Sequence, residues 1–157
     1  ILEHPEFKKR KEYVHHENSS VYDHCLAVSI LSYLWAKQWN CDYKSAAIGG
    51  LLHDFYDKPW QTKNHKAVDH PKTKFFLQHG FVHAAEAVRN SYRFFPQLMN
   101  PKIENIIRRH MFPLNIRPPR YKEGWIITMV DKYVSLDVLK SPKEWPKYVG
   151  LGKKEKK

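Results

Sequence analysis

The chain is short of the features that mark several protein classes. It has two cysteines in 157 residues, Cys25 and Cys41, without C-x-x-C spacing. That rules out a disulfide framework and fits a reducing cytosol, with Cys25 read as a small core residue. Its longest mostly apolar run, Leu26 to Ala36, contains Ser29 and Ser32 and is too short to span a bilayer, so no membrane partner is expected. No signal peptide is visible in a sequence that opens on Ile1, and a cytoplasmic location is expected. Sustained alternation of the kind a half-buried strand requires is absent, as are internal repeats and low-complexity blocks. Acidic residues are outnumbered by basic ones, 16 against 27.

The resulting net charge of +11 draws anions, whether phosphorylated metabolites, nucleic acid or acidic surfaces, and does not choose among them. Part of the excess lies in Lys8-Lys9-Arg10-Lys11 and in the final Lys153-Lys154-Glu155-Lys156-Lys157, both read as solvated, mobile ends. The layout expected is a basic N-terminal extension over 1–13, one domain over 14–140 and a basic tail over 141–157. With 42% hydrophobic and 14% aromatic residues the chain is too core-rich for disorder, and its length leaves no room for a second catalytic domain.

Apolar residues recur at helical spacing almost throughout, so the fold class expected is an all-α bundle. Ser20 with Asp23 resembles a capping box opening a helix that runs to about Asn40, with Val21, Cys25, Val28, Leu31 and Trp35 on its apolar stripe. His24 lies on that stripe. A second helix is expected from Tyr43 to Phe55, placing His53-Asp54 in its last turn before Pro59. A long polar connection with His65, Asp69, His70 and Pro71 follows, of a length that tends to be functional. Gly80 precedes a third helix, Phe81 to about Tyr92, which carries His83. A fourth, Lys102 to His110, puts Ile103, Ile106, Ile107 and His110 on one side, and a fifth runs from Lys122 to about Leu139.

Asp131 falls on the stripe of the fifth helix with Ile127 and Val134, where an unpaired carboxylate would cost several kcal/mol. A single histidine on an apolar face is more often a hydrogen-bonded core residue than a ligand. Yet His24, His110 and Asp131 occupy inward stripes of three helices while His53-Asp54 ends a fourth, and one shared metal site is the simplest account. Imidazoles and carboxylates suit intermediate divalent ions, and a carboxylate has two oxygens with which to bridge a pair.

In this order, His24, Leu51-Leu52-His53-Asp54, His83, His110 and Asp131-Lys132 resemble the H...HD...H...H...D signature of the HD superfamily of metal-dependent phosphohydrolases. More narrowly, residues 15–24 and Arg109-His110-Met111-Phe112-Pro113-Leu114 resemble a diverged group of small bacterial HD-domain hydrolases. The resemblance implies a helical HD-domain bundle with one metal held by His24, His53, Asp54 and Asp131. It implies a second at His83 and His110, with Asp54 as the bridge and the catalytic centre of the site. Two divalent transition ions are expected, from among Mn, Fe, Co, Ni and Zn, acting on a small phosphorylated anionic substrate such as a nucleotide through activated water and without a protein nucleophile.

Lys58 stands one position beyond the lysine of the HD-I-G-K form and is its counterpart for phosphate binding. Arg109 and Lys132, beside presumed ligands, are further candidates for substrate charge, and His79 lies near enough in sequence to enter the cleft. The G-Y-P motif of cyclic dinucleotide phosphodiesterases is missing, which argues against that substrate. Two other readings share these residues. One is a basic helical nucleic-acid-binding module with a degenerate metal site, which no recognition motif or aromatic platform supports. The other is a di-iron oxygenase, as in a few HD-fold proteins.

Overall fold

The computed structural model describes residues 1–16, 19–57 and 72–136, with side chains at all of these except 14–16 and 72–81. The polar connection with His65, Asp69 and His70, the residue Lys58, the side chains of His15, His16 and His79, and the basic run at 153–157 lie outside that description.

Local sequence sets each helix start. After a short helix α1 (Pro5–Lys8), a 3-10 turn (Lys9–Lys11) leads into a small antiparallel ribbon of β1 (Val14–His16) and β2 (Ser19–Ser20). Ser20 then caps α2 (Val21–Gln38): its Oγ accepts from the Asp23 N–H at 3.1 Å, while Asp23 accepts from the Ser20 N–H at 3.4 Å. Asp42 caps α3 (Tyr43–Leu52), accepting from the Ser45 N–H. Next come α4 (Lys72–Phe94) and α5 (Pro101–Arg109), the latter capped by Asn100 with Pro101 at its first position, where a missing N–H costs nothing. The last described helix is α6 (Lys122–Ser135). The fold is all-α, as expected, with the two-stranded ribbon as its one extended element among the described residues.

Helix α3 is the hub, packed against α2, α4, α5 and α6. Two adjacent glycines make that possible. A Cβ on Gly50 would lie 2.6 Å from the Ser29 Cα of α2, and one on Gly49 would lie 2.5 Å from Ile106 Cγ2 of α5. The core divides around this hub. On one side Phe7, Val21, Cys25, Leu52, Phe55, Ile103 and Ile107 pack together, and on the other Val28, Leu31, Ala46, Ile106, Ile126, Ile127 and Val130 do. No described helix is long and apolar enough to cross a membrane.

Three expectations need correction. Helix α4 begins at Lys72, nine residues before Phe81, because Gly80 sits inside the helix rather than at its boundary; a helix interior tolerates glycine at a cost of about 1 kcal/mol relative to alanine. Helix α3 ends at Leu52, so His53 is its C-cap and Asp54 lies just beyond. The run Lys8-Lys9-Arg10-Lys11 is not uniformly solvated: Arg10 is 1% exposed and Phe7 beside it is fully buried.

Candidate metal centre

Two helix ends build the centre. A helix terminus leaves backbone carbonyls without an N–H partner, and at the ends of α3 and α5 a histidine ring fills that role. His53 Nδ1 lies 2.8 Å from the Gly50 carbonyl, and His110 Nδ1 lies 2.7 Å from the Ile107 carbonyl. A carbonyl only accepts, so each Nδ1 carries the hydrogen and donates it. Each Nε2 is thereby left facing the interior beyond the helix end, the tautomer a metal-ligating histidine needs.

The other residues come from helix sides. His24 of α2 and Asp131 of α6 converge on His53: His24 Nε2 is 3.0 Å from Asp131 Oδ1 and 3.3 Å from His53 Nε2, and His53 Nε2 is 3.5 Å from the same Asp131 oxygen. His83 of α4 meets Asp54 Oδ1 at 2.6 Å, with His110 Nε2 at 3.5 Å from that oxygen. Two trios result, His24, His53 and Asp131 in one and Asp54, His83 and His110 in the other. Within each, the ligand atoms all lie within 4.8 Å of one another. Asp54 joins them, because its Oδ1 belongs to the second trio while its Oδ2 lies 3.8 Å from His24 Nε2 and 3.6 Å from His53 Nε2.

Burial makes these charges matter. His53 and His110 are fully buried, His24 is 3% exposed and Asp54 6%. Burial alone would raise the Asp54 carboxyl, but the charges of His53 and His83 outweigh it and hold it well below the usual carboxylate range. Asp131 is held far below as well: burial opposes, and hydrogen bonds from His24 and His53 prevail. Burial would lower His53, yet Asp54 and Asp131 lift it to about 9. His110 is pushed down, chiefly by burial, and its Nε2 is a buried nitrogen whose one polar partner, Asp54 Oδ1, is 3.5 Å away. Four imidazoles and two carboxylates, converging with their ring nitrogens and oxygens, fit divalent cations of the nitrogen- and oxygen-binding kind.

The family model for the HD domain matches residues 21–136. The chain belongs to the HD-domain family. Members of that family are in general phosphohydrolases that bind divalent metals, and the matched span contains both trios of this HD domain. No curated protein and no solved structure matches the chain.

The remaining candidates of the HD domain are more scattered. Lys58 and the His79 side chain lie outside the described residues. Arg109 is half-buried at the end of α5, and burial together with the nearby Arg117 and Arg108 lowers its pKa. Lys132 is exposed and turns back along α6, donating to the Thr128 carbonyl at 3.3 Å. Sequence reasoning missed the residues that brace the loop after Asp54. Asn90 of α4 donates to the Phe55 carbonyl at 3.0 Å, and the Tyr56 ring packs 4.3 Å from that of His83. Arg10 donates to the Tyr56 carbonyl at 2.6 Å, to Asp57 at 3.1 Å and to the Glu6 carbonyl, and stacks on Phe55 at 4.2 Å. Nothing in their spacing marks these residues, since each acts across a long sequence separation.

Proposed function

We propose that this HD domain is a metal-dependent phosphohydrolase acting on a nucleotide or another small phosphate ester. The observation that carries the reading is the position of Asp54, a single carboxylate with one oxygen toward each trio. His24, His53, Asp131 and Asp54 would hold one ion, and His83, His110 and Asp54 the other. Divalent ions held there supply Lewis acidity, polarising a phosphoryl oxygen and acidifying water.

The protein's own part is positioning. The Gly50 and Ile107 carbonyls fix the His53 and His110 rings, so that neither imidazole has to reorient during a turnover. Asp54 and Asp131 stay ionised at every physiological pH, since both carboxyls are held low. Cys25, the one thiol near Asp54, is fully buried and pushed well above its usual pKa by burial, which makes it a poor nucleophile and favours attack by water. The excess of basic residues draws the anionic substrate.

Elemental analysis of protein purified without chelator, followed by phosphatase and phosphodiesterase assays with Mn, Fe, Co, Ni, Zn and Mg, tests this. The expected result is metal in the purified protein and phosphate or nucleoside monophosphate release that chelation abolishes and a transition metal restores better than Mg. A folded, fully metallated sample that is inert on nucleotides and generic phosphate esters, yet binds nucleic acid with steep salt dependence, would overturn it in favour of a binding module.

A further inference from the structure

Beyond the ligand trios, the end of α5 and the loop after it line, with Ala85 of α4, an open cavity of about 530 Å³. Its other lining residues are Arg108, Arg109, Asn115, Ile116 and Arg117. Its volume is that of a small-molecule pocket, and half of the described lining residues are arginines. Only Arg108 has a counter-charge among the described residues, the Glu104 carboxylate at 2.7 Å. Arg109 instead feels two further cations, Arg117 and Arg108.

A helix C-terminus attracts cations, and that accounts for Arg108 and Arg109 in the last turn of α5. It does not account for Arg117, which lies eight residues past the helix end. Arg117 is brought back by a built anchor. Asn115, 1% exposed, donates from Nδ2 to the Arg108 carbonyl at 2.8 Å and accepts the Arg117 N–H at 3.3 Å, while its own N–H reaches the Met111 carbonyl at 3.1 Å. A buried amide thus fixes the backbone of Arg117 in a lining that holds two other arginines. Like charges fixed together in a pocket are favourable when an anion fills it, and guanidinium groups match phosphate oxygens two at a time.

We propose that this pocket is an oligophosphate-binding subsite. Its walls come from the helices that carry the second trio, for Ala85 is two residues past His83 and Arg109 directly precedes His110. Resting on the hydrolase reading above, the pocket assigns a substrate class: ligands that carry a phosphate chain or a second phosphate group, held by a phosphate other than the one at the metals. A separate phosphorylated ligand would use the same chemistry.

The test is calorimetric titration of the metallated protein with inorganic tripolyphosphate. Arg117→Ala should weaken binding at least about tenfold, and Arg117→Lys should restore part of it. Arg109→Ala should weaken binding similarly, and Arg117→Ala should leave the metal content unchanged. With a nucleoside triphosphate as substrate, Arg117→Ala should raise KM more than it lowers kcat. A weakened tripolyphosphate affinity without that KM effect assigns the pocket to a separate phosphorylated ligand. Wild-type affinity in both alanine variants would overturn the subsite, as would binding that follows metal content and ignores Arg117; either leaves the hydrolase reading standing. Arginine-dependent binding in a metallated protein that turns nothing over would overturn the hydrolase reading and leave the subsite.

Discussion

The two trios differ in how well they manage without a cation. In the first, His24 Nε2 meets Asp131 at 3.0 Å and His53 at 3.3 Å, and a protonated His53 between two carboxylates stands where positive charge is wanted. In the second, Asp54 and His83 pair at 2.6 Å, while the buried His110 Nε2 has only the same Asp54 oxygen, at 3.5 Å. The first trio is therefore a site that exchanges a proton for an ion, and the second one whose His110 nitrogen is held only at long range by its own partners.

The largest expected effect comes from removing what the trios share. Asp54→Ala should lower the content of both ions and reduce activity at least about a hundredfold; retention of full metal content by elemental analysis would refute the bridge. Next come the substitutions that separate the trios. Asp131→Ala should lose mainly the first ion, and His83→Ala mainly the second, the more weakly held, so titration of the two variants should show different missing sites. If both lose the same ion, the division into two trios is wrong.

A proton count sharpens the contrast further. Folding lifts His53 from 6.5 to about 9, so below pH 9 a proton leaves before its Nε2 binds an ion. Metal affinity at the first trio should rise with pH up to about 9 and then level, with proton release visible at pH 7 by calorimetry in buffers of different ionisation enthalpy. His110, pushed down instead, adds no such proton to the second. The sign reverses for the metal-free fold. There the raised pKa contributes stability that is complete below pH 6.5 and disappears as pH rises through 9.

A smaller effect is expected from the packing beneath the first trio alone. Gly50→Ala sets a methyl against the backbone of Ser29, which cannot give way, and should cost about 1–3 kcal/mol by thermal or denaturant unfolding. Gly49→Ala meets the Cγ2 methyl of Ile106 at 2.5 Å and the Cδ1 tip of Ile127 at 2.9 Å, side-chain rather than backbone atoms, and should cost less. Equal losses for the two would show that α2 yields at its contact with α3.

Much of this was legible because periodicity reports which way a side chain faces. His24 and Asp131 share stripes with core residues, and both are drawn into one cluster; the Ser20–Asp23 cap and the apolar face of α5 were readable for the same reason. What escaped reading depends on partners far away in sequence. The C-cap positions of His53 and His110 arise from ring-to-carbonyl bonds that no helix-stop residue announces. The Gly49-Gly50 pair carries no mark of the helices that press on it. Arg10 looked like one of four solvated cations because two of its three acceptors lie 46 and 47 positions away.

That guanidinium gives the residues ahead of the family match, which starts at residue 21, a meaning that the match does not. Fastened to the Tyr56 carbonyl and laid on the Phe55 ring, Arg10 closes the back of the turn that presents Asp54. The packing behind the site therefore draws on residues that lie ahead of the family match. A fragment trimmed to the matched span would keep every ligand yet lose the clasp behind them.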